Sequence, residues 1–159
     1  MSEDEPFLWE MLYQALYIPK GQSAPPRDVV NLPELACYVQ SWGREGDCGF
    51  LASDALTKQP IGAVWLRLLV GENKGYGYVD DGTLELSIAV YPEYRGQGVG
   101  TQLLTRLFAS DCGQSSISLS VSAGNPALRL YEHFGFEVVS KSVESLTMRR
   151  DEKRRKGSR

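Results

Sequence analysis

Val90-Tyr91-Pro92-Glu93-Tyr94-Arg95-Gly96-Gln97-Gly98-Val99-Gly100 joins a strand pattern to a helix pattern. Before it, Leu84-Glu85-Leu86-Ser87-Ile88-Ala89-Val90 alternates as a half-buried strand does. After it, Thr101 to Phe108 places its apolar residues at helical spacing with Val99. Three alternate glycines bridge the two, and without Cβ atoms Gly96, Gly98 and Gly100 let a charged group approach the backbone. The first free N–H groups of the helix and its dipole favour an anion in the same place. Arg95 adds a positive charge and a donor fork suited to phosphate. The stretch therefore reads as a phosphate-cradling turn.

Spacing excludes two common phosphate motifs. The dinucleotide fingerprint needs G-x-G-x-x-G, and a P-loop ends in Gly-Lys-Ser/Thr, whereas Gly100 is followed here by Thr101-Gln102.

Outward from the turn, the chain reads as two helices, a hairpin, then strand-helix-strand-helix-strand-strand. The first helix is expected over Pro6–Ile18, with Asp4 as cap, and the second from Asn31, as cap, to Trp42. Gly49–Ser53 and Pro60–Val70 form the hairpin. The glycine-rich stretch Gly71–Gly82 is irregular, and its Tyr76 and Tyr78 could line an acceptor pocket or simply pack the loop. Ser116–Ser122 is a strand, and Asn125 caps a helix over Ala127–Phe134. Phe136–Val139 and Val143–Met148 are the closing strands. This order predicts an α/β or α+β sandwich, a mixed sheet covered on both faces.

With 159 residues, 42% hydrophobic and 23% charged, the chain suits a single domain, here 1–148, with 149–159 as a basic tail. A net charge of −3 argues against a nucleic-acid partner, and no apolar run approaches the roughly 20 residues of a membrane span. The start, Met1-Ser2-Glu3-Asp4-Glu5, is acidic and shows no signal-peptide pattern. Cys37, Cys48 and Cys112 have no metal-ligand spacing and suggest no disulfide framework. The expectation is a reducing, cytoplasmic setting without a metal.

Arg95-Gly96-Gln97-Gly98-Val99-Gly100 matches the [R/Q]-x-x-G-x-[G/A] signature of the GCN5-related N-acetyltransferases (GNAT). Ile88-Ala89-Val90 precedes it at the family's distance. Asn125-Pro126-Ala127, Leu130-Tyr131 and Gly135-Phe136 resemble the family's second block. The resemblance covers Cys48–Met148 well and the helical N-terminus loosely. It implies a mostly antiparallel mixed sheet with helices on both faces and a splayed acetyl-CoA cleft. The family's first strand is absent here or shortened to Met1–Glu3.

The resemblance also implies acetyl-CoA as cosubstrate and an amine acceptor. The pyrophosphate would lie on the amides of Gly96 to Thr101, with Arg95 beside them, and the pantetheine arm along Ile88–Val90 and against Asn125. A Val90 N–H would polarise the thioester carbonyl, freed by a bulge near Ala89–Val90. Tyr131 is the family's usual general acid, since a phenol of pKa about 10 can protonate a thiolate whose acid is near about 8.5. A structural helix tyrosine is the alternative. Glu85, on one strand face with Ser87 and Ala89, is either the base or an ordinary face charge. Glu93 and His133 read as structural. Phe7–Trp42 and Gly71–Gly82 would shape the acceptor site. A longer acyl donor, a non-catalytic acyl-CoA-binding module and a homodimer through an open sheet edge remain compatible.

Overall fold

The computed structural model describes residues 4–18 and 21–151. Its elements are α1 (Glu5–Gln14), α2 (Pro33–Ala36), β1 (Cys48–Ser53), β2 (Pro60–Arg67), β3 (Leu84–Val90), α3 (Val99–Ala109), β4 (Ile117–Ser122), α4 (Leu128–His133), β5 (Glu137–Lys141) and β6 (Ser145–Arg150). The six strands form one sheet in the order β1-β2-β3-β4-β6-β5. Every neighbouring pair is antiparallel except β3 with β4, which the α3 crossover joins in parallel. No strand precedes α1 among the described residues, and Met1–Glu3 lie outside them. No helix among them is long and apolar enough to cross a membrane.

Two apolar layers sandwich the sheet. On one face Leu103, Leu104 and Leu107 of α3 and Tyr131 of α4 pack on Val64, Leu66, Leu86, Val90, Ile117, Leu119 and Met148. On the other, Leu8, Met11 and Leu12 of α1 and Cys37, Tyr38, Val39 and Trp42 after α2 pack on Ala63, Trp65 and Ala89. Both layers draw on β2 and β3, so the strand that carries Glu85 and Val90 is rigid from both sides.

The structure corrects several boundaries. α1 stops at Gln14, short of Ile18, because the Arg95 guanidinium takes the Gln14 carbonyl at 3.1 Å. Pro19 lies outside the described residues. Neither Asp4 nor Asn31 caps its helix through its side chain. The expected helix over Asn31–Trp42 is a 3-10 turn at Arg27–Asn31, the single turn of α2, and looser turns to Ser41. Side chains of β2 take the carbonyls that a longer helix would use: Arg67 donates to Cys37 O (3.1 Å) and Ser41 O (3.0 Å), and Trp65 Nε1 to Tyr38 O (3.0 Å).

Cys48 and Cys112, 64 positions apart with Cα atoms 6.7 Å apart, form a disulfide, against the expectation that the cysteines suggest no disulfide framework. The crossover helix α3 lies over β1, with Arg106 above the Phe50 ring, and delivers Cys112 to the start of β1. Sequence spacing cannot show such a contact. The expectation of a reducing compartment, which rested on the lack of a disulfide framework, loses that support; Cys37 alone is free, and buried.

Arg149 and Arg150 belong to β6 and not to a tail. Arg150 is buried, donating to Phe134 O (2.9 Å) and Gly113 O (3.1 Å) over the Phe108 ring. The remaining tail, 152–159, lies outside the described residues.

Candidate active site

β3 and β4 pair only through Leu84 with Ile117 and Glu85 with Ser118. Beyond these first residues the strands part, and the sheet opens into a cleft. The expected bulge at Ala89–Val90 is absent: β3 runs in unbroken register against β2, from Arg67 opposite Glu85 to Gly62 opposite Val90. The splay comes from the short parallel pairing instead. Tyr91 N–H donates to Ile61 O at 2.9 Å, which fixes the phase of the ladder. By antiparallel alternation Glu85, Ser87 and Ala89 bond β2 through their backbones, while the N–H and C=O groups of Leu86, Ile88 and Val90 point toward β4, where Ile88 and Val90 lie beyond the pairing and face the cleft. Of the sequence trio, Ile88 thus offers a free N–H and C=O there and Val90 a free N–H, its carbonyl being taken by Arg95. The Ala89 amide is committed to β2, and its side chain is in the α1 layer.

At the end of β3 the glycine turn is exposed. Gly96 (φ 76°) and Gly98 (φ 84°) are left-handed, and a Cβ on either would meet open space, so backbone conformation and not crowding selects glycine there. Gly98 caps α3, and Gln102 N–H is the first satisfied by the helix, on Gly98 O at 3.0 Å. The amides of Val99, Gly100 and Thr101 before it have no helical carbonyl to bond and point out of the helix start. These residues fit an anion: an open cradle of N–H groups with α3 behind it. Arg95 is less free than its sequence suggests, because Nε donates to Val90 O at 2.9 Å and Nη2 to Gln14 O. It clasps the end of β3 to the end of α1. Gln97 donates to Glu93 O at 3.2 Å, within the turn.

Across the cleft Asn125 follows β4. Its Oδ1 accepts from Ala127 N–H at 2.9 Å, so it shapes the entry to α4 one turn before the helix proper. Tyr17, beyond α1, donates to Gly124 O at 3.2 Å. Through Arg95 on one side and Tyr17 on the other, the end of α1 is tied to the far ends of both parted strands.

Tyr131 is buried in the α3/α4 layer, its ring edge-on to Phe136. Among the described residues its hydroxyl has no hydrogen-bond partner, yet it is not sealed from solvent. Burial pushes the phenol up to about 12, so it stays protonated at any ordinary pH.

Glu85 does not line open space. It is 3% exposed, on the sheet face that the turn after α2 covers. Its Oε2 accepts from the Tyr38 hydroxyl and from Gly77 N–H (3.0 Å), while Oε1 has no partner. A Cβ on Gly75 would run into Oε1, and one on Gly77 would lie 2.7 Å from the Leu119 carbonyl carbon. The irregular loop thus closes over the carboxylate through two glycines. Burial raises the Glu85 pKa, and its two hydrogen bonds lower it in part.

Sequence reasoning missed what surrounds this carboxylate. Strand register sets Arg67, Glu85, Ser118 and Arg149 side by side on one face. Both cations are engaged elsewhere, Arg67 with Asp47 at 3.1 Å and Arg149 with Asp80 (3.8 Å) and Asp151 (3.2 Å). The one available signal was a lone arginine in the apolar run Val64-Trp65-Leu66-Arg67-Leu68-Leu69. His133 and Glu93 are exposed and apart from this group.

A model of the acetyltransferase (GNAT) domain matches residues 45–138. The L-amino acid N-acyltransferase MnaT of Escherichia coli is 38% identical over 61 residues, 36% of each chain. The mouse cysteine-rich protein 2-binding protein is 40% identical over 50 residues, 31% of this chain and 6% of that protein. The matched part is thus little over a third of the first relative and a small fraction of the second. Among solved structures, a putative GnaT-family acetyltransferase from Bordetella pertussis superposes with a TM-score of 0.65 at 20% identity, over 92% of this chain and 89% of that one. A phosphinothricin acetyltransferase from Sinorhizobium meliloti, in complex with AcCoA, gives 0.62 at 17% identity over 94% and 84%. These likenesses carry the fold.

Proposed function

Since the chain belongs to the GNAT acetyltransferase family, we propose that it moves the acetyl group of acetyl-CoA to a primary amine, of a small molecule or a protein. The observation that carries this reading is the parting of β3 and β4 after two residue pairs beside the open start of α3. One groove thereby offers an anion cradle and an unpaired strand edge.

Bound there, acetyl-CoA would supply an activated acyl group and a thiolate leaving group. The chain does the rest. The amides from Gly96 to Thr101 hold the pyrophosphate, and the Val90 N–H and Ile88 C=O pair with the pantetheine amides as a further strand would. The Ile88 N–H, nearer Glu85 than the expected Val90 N–H, polarises the acyl oxygen. Asn125 bounds the arm on the β4 side. With the loop at Gly75 lifted off the buried Oε1, Glu85 takes one proton from the acceptor ammonium, and Tyr131 gives one to the departing sulfur. Of the three ammonium protons one stays on the new amide, one leaves through Glu85 and one replaces the proton Tyr131 gave up. The C–S bond breaks as the C–N bond forms, and no redox partner is needed.

The test is release of free thiol from acetyl-CoA over a panel of amines, with Glu85→Gln beside the wild type. Turnover that Glu85→Gln lowers by at least about a hundredfold supports the reading. Acetyl-CoA binding without turnover of any amine would point to a binding module instead, and propionyl- or succinyl-CoA outcompeting acetyl-CoA would change the donor.

A further inference from the structure

We propose that Tyr38 is a positioning residue for the transfer reaction: its hydroxyl fixes Oε2 of Glu85 and the loop over it, so that Oε1 is the oxygen left for the acceptor amine. This rests on the reading of Glu85 as the base. The geometry goes beyond an incidental contact. The Tyr38 hydroxyl donates to Glu85 Oε2 and accepts from Tyr76 N–H at 2.8 Å, so one oxygen joins carboxylate and loop. Gly77 N–H donates to the same Oε2, leaving Oε1 unpaired and buried beneath Gly75, which must lift for the acceptor to reach it.

Tyr38 is itself held from β2. Trp65 Nε1 donates to its carbonyl, and Arg67 takes the carbonyls on either side of that turn, at Cys37 and Ser41. The two buried β2 side chains that interrupt the expected helix thus set the tyrosine above β3.

The remaining groups around Glu85 leave this task to Tyr38. From β2, Arg67 is opposite Glu85 in register but paired with Asp47. From β4 comes uncharged Ser118, and beyond it Arg149 of β6, paired with Asp80 and Asp151. From the turn after α2, Cys37 bonds Glu34 O. From the loop come backbone groups and Tyr76, whose ring is exposed. A structural carboxylate beside Arg67 would have taken that cation. Glu85 is instead held by two neutral donors on one oxygen, which orients it and leaves it basic.

Glutamate carrying ¹³C at Cδ lets the Glu85 carboxyl be titrated directly by NMR, its signal identified by loss in Glu85→Gln. Tyr38→Phe keeps the ring and deletes the donor, so the Glu85 midpoint should rise by about one pH unit. 3-Fluorotyrosine placed at position 38 alone is a stronger donor in the same shape and should lower it. The acid limb of kcat against pH, for the best amine of the panel, should move by the same amounts, with acetyl-CoA affinity unchanged. Should Tyr38→Phe not fold, the fluorotyrosine protein still decides. An unmoved Glu85 midpoint overturns the proposal, as does a moved midpoint with a fixed kcat limb. Either result leaves the transferase assignment standing, since that fails separately, by absence of wild-type turnover, whereas full activity in Glu85→Gln would remove only Glu85 as the base.

Discussion

At one end of β3 the turn from Arg95 to Thr101 is largely exposed, contiguous in sequence and built from backbone. At the other end Glu85 is almost fully buried, and the groups that hold it come from the turn after α2 and from the loop before β3. The two serve one groove by opposite means. An anion cradle needs only N–H groups in a fixed local conformation, which a short motif can encode. A desolvated base needs water excluded and its hydrogen bonds chosen, which takes residues far apart in the chain. Substitution should therefore separate them: changes in the turn should affect donor binding, and changes around Glu85 should affect acceptor chemistry.

The sharpest separation is expected from Gly98→Glu. It forces a side chain into a left-handed conformation and sets an anion at the helix start. Acetyl-CoA affinity measured by calorimetry should fall at least roughly a thousandfold, while the folded circular dichroism spectrum remains. Unchanged affinity would remove the cradle from the donor site.

Next comes Tyr131→Phe, which should lower kcat about a hundredfold and leave acetyl-CoA affinity intact. Because burial pushes its phenol up to about 12, the acid form persists below that value, and wild-type kcat should hold on the alkaline side until pH nears it. An alkaline fall near neutral pH, lost in Tyr131→Phe, would mean that Tyr131 is far more acidic than its burial implies.

A smaller effect should come from Gly75→Ala. The new methyl group meets Oε1 of Glu85, so the loop must shift. We expect the acceptor KM to rise about tenfold with acetyl-CoA affinity unchanged. If both constants moved together, the two ends of β3 would not be independent.

The same contrast explains what the sequence made legible. The turn, the strand before it and the helix after it could be read because each depends on residues within about ten positions. The β1–β2 hairpin and the alternating β4 followed for the same reason. Glu85 could be placed on a face by period alone, but not its partners, since Tyr38 is 47 positions away and meets it only through the fold. The helix expected to reach Trp42 stopped early because Arg67 and Trp65 claimed its carbonyls, a competition that local propensity does not see. Arg95 looked like a phosphate ligand because its charge was visible and its acceptors, Val90 O and Gln14 O, were not. The Cys48–Cys112 bond depended on how α3 crosses β1.

The smallest effect is on stability, and its sign is the most informative. Burial raises the Glu85 pKa above the ordinary glutamate value. The folded protein then holds the proton more tightly than the unfolded chain. Stability falls as pH rises from the ordinary carboxyl range through the raised value, and the ionised group is a net cost above both. Glu85→Gln keeps an oxygen for Tyr38 and Gly77 and removes the charge, so it should stabilise the protein near pH 8 by on the order of 1 kcal/mol. Near pH 4 the gain should vanish, because there the wild-type carboxyl is protonated as well. Urea unfolding at the two pH values measures this directly. A variant that is more stable and yet inactive would mean that the charge is kept for chemistry at a cost to the fold. A loss of stability near pH 8 would instead show that the ionised carboxylate holds the loop to the sheet, and would return Glu85 to a structural role.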